Sequence, residues 1–423
     1  MQSSASEEQA VSSVMPTPGN SVYKTMISKA PFLKPLLSPA EEFDLLAQRF
    51  EVLLSHNFGG SMLGRDIQDL TRVERVSKVG EALGGKALNT LRKRVGQCSH
   101  FVDWCLSVGT LAFPVNSQLI LEYTDPAGQR VLQIGEVVRF LHFVLGVDLN
   151  GQALGSPIFL GRLRKARLER PARKQARPLT VKEVVALETM LRDTGADLLD
   201  RYCAGMFLVA VYGRARLGDL KEIEGFFLDL SSEPRASTHG YGEFNSLSHK
   251  SRSRGNAVGM RMPIVFPAKG LGTGLWLTTL LAVSVEMGHP LDKLEAGSAL
   301  MRTPNLDGSL STRPLRHDRF VEWASRILTR CGCEDSSTIT GHSAKSTLLS
   351  WMSKFGGSYD ERTLLGHHAL PGRQSLATYS RDLQASPLRS LETMLDAVRS
   401  LRFNPDNTRS GMIELRDPEA DDE

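Results

Sequence analysis

The chain has 423 residues, of which 41% are hydrophobic and 23% are charged, and its formal net charge is +4. This length exceeds the size at which a single hydrophobic core stops growing, so we expect at least two domains. No apolar run is long enough to span a bilayer, and Met1–Asn20 lack the basic-then-apolar order of a secretory signal. We therefore predict an intracellular protein without a membrane segment.

The cysteines do not have the pattern of a disulfide framework, because they are odd in number and irregularly spaced. They are Cys98, Cys105, Cys203, Cys331 and Cys333. A single residue separates the last two, and no second pair follows, which does not fit the ligand spacing of a zinc site. We predict no metal.

The first half of the chain reads as an arm followed by helices. Residues 1–37 lack periodicity and carry scattered Pro, Gly and Ser, so they are predicted to form a flexible arm. Ser38 can cap a helix in which Pro39 takes the first position and Glu41 the capping-box position. Apolar residues then recur at helical spacing, which predicts an all-helical domain over residues 38–165.

Two groups of basic residues in this half indicate contact with a polyanion. One group adjoins the apolar stripe of residues 87–114. The other belongs to the run from Arg162 to Arg177, where roughly eight Lys or Arg residues face one acid. A solvated linker, assigned to residues 166–177, would explain the same run without a ligand. The residues predicted to contact DNA phosphates are Lys86, Arg92, Lys93, Arg94, Arg162, Arg164, Lys165 and Arg167.

A second domain is predicted over residues 178–402, followed by an acidic tail over residues 403–423. Thr180 and Glu183 form a capping-box pattern ahead of an apolar helical stripe. Three strand-like stretches follow at about 226–230, 244–249 and 259–266, separated by Gly, Ser and Asn clusters, and they predict a small antiparallel sheet. Helices return from Gly274 onward.

The chemistry-bearing residues of this second domain form an ordered series of cations, histidines and one tyrosine. The chain has no nucleotide-binding glycine loop, no serine nucleophile elbow and no paired carboxylates at metal spacing. The series consists of Arg216, Lys250, His342, Lys345, His367, His368 and Tyr379.

Four short motifs in this series resemble those of the tyrosine recombinases, the phage-integrase-like site-specific recombinases. The chain reads Arg216-Leu-Gly-Asp-Leu220, then His342-Ser-Ala-Lys345, then Leu365-Gly-His367, then Thr378-Tyr379. Pro178-Leu-Thr180 also resembles the start of the family's catalytic domain, so the resemblance covers most of residues 40–400. It implies a fold that is mainly α with a small antiparallel β-sheet: a helical (SAM-like) core-binding domain followed by an α+β catalytic domain. It also implies DNA integration or recombination, as in a mobile element.

The resemblance implies that the Tyr379 phenol attacks a DNA phosphodiester and becomes joined to the 3′ phosphate, without a metal or nucleotide cofactor. A lysine in a crowded cationic site has a lowered pKa, so Lys250 is predicted to give a proton to the departing 5′ oxygen. Its basic neighbours Arg252 and Arg254 are predicted to contact DNA.

The remaining members of the series are predicted to hold the phosphate. Arginine's planar fork matches two phosphate oxygens, so Arg216 is the predicted clamp, oriented by Asp219. Histidine exchanges protons near neutral pH, so His342 is the predicted base and His367 a second phosphate donor. The interval from His367 to Tyr379 is longer than is usual in the family, which leaves the choice between His367 and His368 open.

One residue departs from the family pattern. Lys345 stands where the family has its second arginine, and lysine keeps the charge but loses bidentate geometry. The chain is then either an active lysine variant or a catalytically lapsed relic that binds DNA without cutting it. A type IB topoisomerase shares the chemistry and is a further alternative, although the separate helical domain favours a recombinase.

The resemblance also predicts the partners and the location of the protein. We expect double-stranded DNA as the ligand and a homo-tetramer on synapsed DNA, with Ser386–Leu401 docked on a neighbouring subunit or packed on its own domain. The protein should lie with the DNA, in the nucleus of a eukaryote or the cytoplasm of a bacterium.

Overall fold

The computed structural model describes residues 21–28, 37–124, 128–151, 153–171, 175–230, 240–248, 261–368 and 383–407. The chain divides into two compact units. The C-terminal unit contains Gln175–Glu423 together with Met1–Pro31, and the N-terminal unit contains Phe32–Lys174. The described residues are mainly helical with small sheets, which confirms the predicted fold class.

The N-terminal unit is a bundle of seven helices within its described residues. They are α2 (Pro39–Ser55), α3 (Met62–Ile67), α4 (Arg72–Leu83), α5 (Leu88–Ser107), α6 (Ser117–Tyr123), α7 (Gly128–Leu145) and α8 (Pro157–Leu168). Two short strands, β1 (Val115–Asn116) and β2 (Leu149–Asn150), pair in parallel. The core contains the fully buried rings of Phe50, Phe101, Phe113 and Phe159.

The first predicted helix of this unit begins where its capping pattern placed it. The Ser38 hydroxyl accepts the Glu41 N–H at 3.2 Å, and the Glu41 carboxylate accepts the Ser38 N–H at 2.6 Å. This reciprocal pair satisfies two donors that the first helical turn leaves without intrahelical partners. At the other end of the unit, α8 continues to Leu168, so Arg167 lies on a helix and not in a linker.

The C-terminal unit is built around a buried helix. Its helices are α1 (Val22–Ser28), α9 (Val181–Arg192), α10 (Leu198–Tyr212), α11 (Trp276–Glu286), α12 (His317–Arg330), α13 (Gly341–Phe355), α14 (Tyr359–Leu365) and α15 (Ala385–Arg399). All residues of α10 from Leu199 to Tyr212 are buried, which is expected of a helix that is apolar on every side. It packs against α9, α11, α12 and α13. None of the helices in the described part of the chain has the length and apolar character needed to cross a membrane.

The predicted small antiparallel sheet is confirmed. The strands β3 (Ile223–Leu230), β4 (Gly240–Ser246) and β5 (Met262–Pro267) are antiparallel neighbours in that order. Phe244 pairs with Ile264 in the register of β4 and β5, and both side chains are buried in the core of the unit. A second antiparallel pair joins β6 (Arg302–Pro304) to β7 (Leu310–Pro314).

Helix α1 corrects the prediction of a flexible arm over residues 1–37 for one part of that range, Val22–Ser28. The Val22 N–H donates to the Asp200 carboxylate at 2.8 Å, and the Tyr23 hydroxyl donates to the Pro304 carbonyl at 2.9 Å. The Tyr23 ring lies 4.5 Å from the Trp323 ring. Sequence periodicity missed this helix because it spans only 7 residues and owes its order to partners far along the chain.

Candidate functional site

The predicted phosphate-site residues that the structure describes lie in the C-terminal unit. They are Arg216, Asp219, His342, Lys345, His367 and His368. The predicted nucleophile Tyr379, the predicted acid Lys250 and its neighbours Arg252 and Arg254 lie outside the described residues. The described part of the site therefore consists of its cations, its imidazoles and the Asp219 carboxylate.

The turn after α10 presents two arginines in opposite ways. A Cβ on Gly213 would lie 2.6 Å from the Val209 carbonyl oxygen, so this turn requires glycine. Arg214 is fully buried, whereas Arg216 is partly exposed at the start of a 3₁₀ turn, Leu217–Leu220. The buried Asp219 carboxylate accepts the Arg216 backbone N–H at 2.9 Å, which holds the turn. Exposure favours Arg216 over Arg214 as the side chain that meets a ligand.

Within the described part of the chain, Arg214 donates to backbone carbonyls alone. Its guanidinium nitrogens lie 2.5 Å from the Tyr212 oxygen, 3.0 Å from the Val265 oxygen and 3.1 Å from the Leu365 oxygen. It thereby ties the end of α10 to β5 and to the end of α14. Burial lowers the pKa of Arg214 to about 9, which leaves the side chain a cation at neutral pH.

Lys345 also faces a backbone carbonyl. Its ammonium donates to the Gly366 oxygen at 2.6 Å, and the residue is 7% exposed. Burial first, and the nearby Arg216 second, lower the pKa of Lys345 to about 8, so the ammonium still predominates at pH 7. Lys345, which was predicted to replace a phosphate-binding arginine, therefore directs its charge at the backbone at the end of α14.

The two adjacent histidines of that loop differ in environment. His367 has a positive φ of 56°, and its Nε2–H donates to the Gly213 oxygen at 2.8 Å. Its Nδ1 is buried and has no hydrogen-bond partner among the described residues. Burial and the Arg214 cation hold the pKa of His367 well below its usual value, so the ring is neutral. His368 is exposed, and its pKa is lowered by partial burial and then by Lys345 and Arg216. Exposure favours His368 as the ring that meets a ligand.

His342 and Arg216 line the same open cleft, which has a volume of about 860 Å³. His342 is exposed in the first turn of α13. An added Cβ on Gly341 would lie 3.2 Å from Leu217, which shows how closely the start of α13 approaches the arginine turn. The first turn of a helix is favourable for an anion, because its backbone N–H groups and dipole point there.

Sequence reasoning missed one histidine of this cleft. His317 begins α12 and lines the cleft. Burial and the Lys221 cation lower the pKa of His317. It belongs to none of the recognised motifs, so no sequence signal could have found it.

The N-terminal unit has a separate basic groove of about 740 Å³. Its cationic lining residues, contributed by or close to α5, α7 and α8, are Lys93, Arg139, Arg167 and Arg170. Glu136 and Glu169 also line it. Lys93 and Arg167 were among the predicted DNA contacts, whereas Arg139 and Arg170 were not. Below, this set of four cations is called the basic groove.

Other predicted DNA contacts are engaged within the N-terminal unit. Arg92 pairs with the Glu42 carboxylate, and Arg94 pairs with Glu136 at 2.6 Å. Arg162 donates to the Leu121 carbonyl at 2.6 Å. Exposed predicted residues outside the groove lining are Lys86, Arg164 and Lys165, the last at 3.8 Å from Glu169.

Comparison with known proteins gave matches among solved structures alone. No family model matches the chain, and no curated protein matches it. The chain is similar to a Flpe–Holliday junction complex, with 12% identity over 89% of this chain and 90% of that chain and a TM-score of 0.37. It is also similar to XerH site-specific recombinase bound to difH substrate, with 10% identity over 82% and 98% and a TM-score of 0.35. A third is a lambda integrase dimer bound to a COC′ core site, with 13% identity over 84% and 83% and a TM-score of 0.33.

Proposed function

We propose that this chain breaks and rejoins double-stranded DNA as a tyrosine recombinase, with Tyr379 as the nucleophile. The observation that supports the proposal is that Arg216, His342, Lys345 and His368 lie near one another, although they come from three separate segments of the C-terminal unit. These residues come in the order and motif context in which the sequence resembles the family. A concentration of cations and imidazoles around an open cleft suits a phosphodiester.

Arg216 is proposed to clamp the phosphate that is attacked. Attack on phosphorus spreads additional negative charge over the non-bridging oxygens, and fixed donors that face those oxygens stabilise it. Arg216 is partly exposed at the cleft, its backbone is held by Asp219, and its guanidinium can offer two parallel N–H donors. Buried Arg214 and Lys345 add positive potential from behind.

His342 and His368 are proposed to complete the donor set. Both are exposed, so both can reach a bound phosphate. A neutral imidazole can accept the phenol proton of the nucleophile, and its protonated form can donate to a phosphate oxygen. His342, beside Arg216 at the cleft, is our choice for the base, and His368 for the second donor.

The chemical step uses Tyr379 and Lys250. The Tyr379 oxygen forms a bond to phosphorus as its proton passes to His342, and the bond from phosphorus to the 5′ oxygen breaks. The leaving 5′ oxygen takes a proton from Lys250, and the DNA 3′ end stays linked to the tyrosine. Attack by a 5′ hydroxyl of another strand reverses these steps and restores Tyr379. The phosphodiester bond is conserved, so the reaction needs no nucleotide as an energy source.

The basic groove supports DNA as the ligand of the N-terminal unit. Its four cations come from different helices or from beyond them, and cations that line one groove can contact the phosphates of a DNA backbone. We propose a homo-tetramer on synapsed DNA as the working state, as the resemblance implies. Binding should weaken steeply with salt, because each phosphate contact releases a counterion.

The test is covalent capture on DNA. The purified full chain would be incubated with a pool of nicked duplexes with randomised sequence, and DNA that stays attached to protein after denaturation would be collected and sequenced. We expect an adduct that survives denaturation and is absent with Tyr379→Phe. The matched control is Tyr359→Phe, which removes an exposed phenol at the start of α14 and should leave the adduct intact.

The other outcomes separate the alternatives. Duplex binding without an adduct from any member of the pool would contradict the enzyme proposal and favour a lapsed DNA-binding relic. An adduct accompanied by supercoil relaxation, with no joining between two duplexes, would instead favour a type IB topoisomerase. Loss of the adduct in Tyr359→Phe as well would show that Tyr379 is not uniquely required.

A further inference from the structure

The loop after α14 is held by two buried cations that bind consecutive carbonyls. Arg214 donates to the Leu365 oxygen at 3.1 Å, and Lys345 donates to the Gly366 oxygen at 2.6 Å. Carbonyls at the end of a helix have no intrahelical partner, and cations stabilise them through both a hydrogen bond and the helix dipole. Arg214 and Lys345 are respectively 0% and 7% exposed.

His367 adds a third attachment in the opposite direction. Its Nε2–H donates to the Gly213 oxygen at 2.8 Å, so the arginine turn and the histidine loop hold each other. Arg214 and His367 both have positive φ angles, of 48° and 56°. Non-glycine residues adopt such angles at a cost, and they persist where surrounding contacts over-determine the backbone. Residues 366–368 are therefore held by contacts on both sides, with the backbone strained at His367.

We infer that Lys345 is a positioning residue: its ammonium fixes the Gly366 carbonyl and so places His368 beside Arg216, and it does not itself bind the phosphate. This inference rests on the proposed function for its catalytic consequence. The contact that carries it is the short, buried Nζ–oxygen hydrogen bond. This bond points the ammonium at the Gly366 carbonyl, and because the residue is nine-tenths buried, its other N–H donors have little access to a ligand.

The inference also explains why lysine suits the position. A lysine ammonium is a compact charge that can serve one carbonyl, whereas a guanidinium carries five donors in a wide planar fork. Arg214 already supplies that fork from the neighbouring segment and satisfies three carbonyls. A second fork at position 345 would need more space and more acceptors beside Gly366. We therefore expect Lys345→Arg to disturb the loop.

The first test measures the loop directly and requires no catalysis. The backbone N–H groups of Gly366, His367 and His368 donate within the last turn of α14, at 2.9, 3.0 and 2.9 Å. Their hydrogen–deuterium exchange therefore reports opening of the loop. In Lys345→Met we expect exchange at these three amides to become about tenfold faster or more, because a buried charged hydrogen bond is lost.

The matched control lies on the same helix. Lys354 of α13 also donates to backbone carbonyls, those of Pro405 and Asn407, at 2.5 and 3.2 Å. Lys354→Met should leave exchange at Gly366–His368 unchanged, although it removes the same group from the same helix. Unchanged exchange in Lys345→Met, with both variants folded by circular dichroism, would overturn the inference even if the wild-type protein cleaves no DNA.

The second test separates positioning from phosphate binding. On a nicked duplex that the capture experiment has selected, Lys345→Met should slow adduct formation by about a hundredfold while duplex affinity stays within about twofold, since the lost group contacts no DNA. Lys345→Arg should also be slower than the wild type and should show faster loop exchange. A phosphate clamp predicts the reverse: an arginine variant at least as fast as lysine, and weaker DNA binding by Lys345→Met. Either of those results would overturn the inference.

Discussion

The cations of the two units differ in what their donors face. In the C-terminal unit, Arg214 and Lys345 are buried, and within the described residues they donate hydrogen bonds to backbone carbonyls of neighbouring segments. In the N-terminal unit, the basic groove is lined by exposed side chains on the surface of a helical bundle. A buried cation that is satisfied by carbonyls organises a site, and an exposed one is available to a mobile polyanion.

Positive charge alone therefore does not identify a ligand contact. Arg214 and Arg216 are two residues apart, yet one is 0% exposed and the other lines an open cleft. Burial of a cation without hydrogen bonds is expensive, so a buried arginine must find acceptors within the protein. Its contribution should therefore appear in the free energy of unfolding, and that of an exposed cation in DNA affinity.

The largest effect is expected from Arg214→Met. This change leaves three carbonyls, those of Tyr212, Val265 and Leu365, without their buried donor. We expect the free energy of unfolding to fall by about 3 kcal/mol or more, measured by urea denaturation. Arg402→Met, which removes an exposed arginine of the same unit, is the control and should change it by less than about 0.5 kcal/mol. Similar losses of unfolding free energy in both variants would show that burial does not set the contribution of Arg214 to stability.

Acid should destabilise the C-terminal unit through a buried histidine. His289 is 1% exposed, its Nδ1 lies 2.6 Å from the Tyr202 hydroxyl, and burial with the Arg302 cation lowers its pKa to about 4. The unfolded chain then binds the proton at a higher pH than the folded protein, so stability is present above about pH 6.5 and is lost as the pH falls towards 4. The loss from this group should reach up to about 3 kcal/mol.

The measurement is the free energy of unfolding at several pH values between 7 and 4. In His289→Gln the free energy of unfolding should fall less steeply with decreasing pH than in the wild type. The variant lacks the one proton that the wild-type His289 takes up on unfolding. His100→Gln, which changes an exposed histidine of the N-terminal unit, is the control and should follow the wild-type curve. Parallel curves for the wild type and His289→Gln would show that the buried ring does not titrate in this range.

The basic groove should act on affinity and not on folding. Exchange of Arg139 and Arg170 for glutamine removes two of its cations. We expect duplex affinity to fall about tenfold or more, and the slope of log K against log salt to decrease in magnitude by about 2, measured by fluorescence anisotropy. The control changes Arg72 and Lys78, two exposed cations of α4, to glutamine. Equal losses of duplex affinity in both double variants would show that binding depends on the net charge of the unit and not on the basic groove.

Sequence patterns predicted the local structure well where the signal was local. Ser38 and Thr180 each open a helix through a capping box with a residue three positions on, and both boxes are present. The small antiparallel sheet followed from turn residues between apolar stretches. Helix α1 was missed because Asp200 and Trp323, which order it, are distant in sequence.

The candidate site was predictable in composition and not in orientation. The motifs indicated Arg216, Lys345 and the two histidines, but which ring of His367 and His368 turns inward depends on a positive φ that no pattern encodes. The carbonyl partner of Lys345 comes from the end of another helix. Arg139 was missed because one arginine on a helix face resembles any solvated charge until neighbouring helices form a groove beside it.

The smallest effect is expected from two adjacent residues of α5, one of which has a carboxylate partner while the other lines the basic groove. Arg92 and Lys93 were both predicted to contact DNA, but Arg92 pairs with Glu42, whereas Lys93 lines the basic groove. Arg92→Gln should change duplex affinity by less than about twofold, because the lost charge already has a partner, and stability by less than about 1 kcal/mol. Lys93→Gln should weaken binding several-fold and reduce the salt slope by about 1.

Both variants change the net charge equally, so their difference isolates orientation from charge. Anisotropy titrations at three salt concentrations would give the affinity and the slope for each. Equal effects would mean that Glu42 releases Arg92 when DNA binds, and that the ion pair at this surface is exchanged for a phosphate contact. A larger effect of Arg92→Gln would place the DNA path on the Glu42 side of α5 and away from the basic groove.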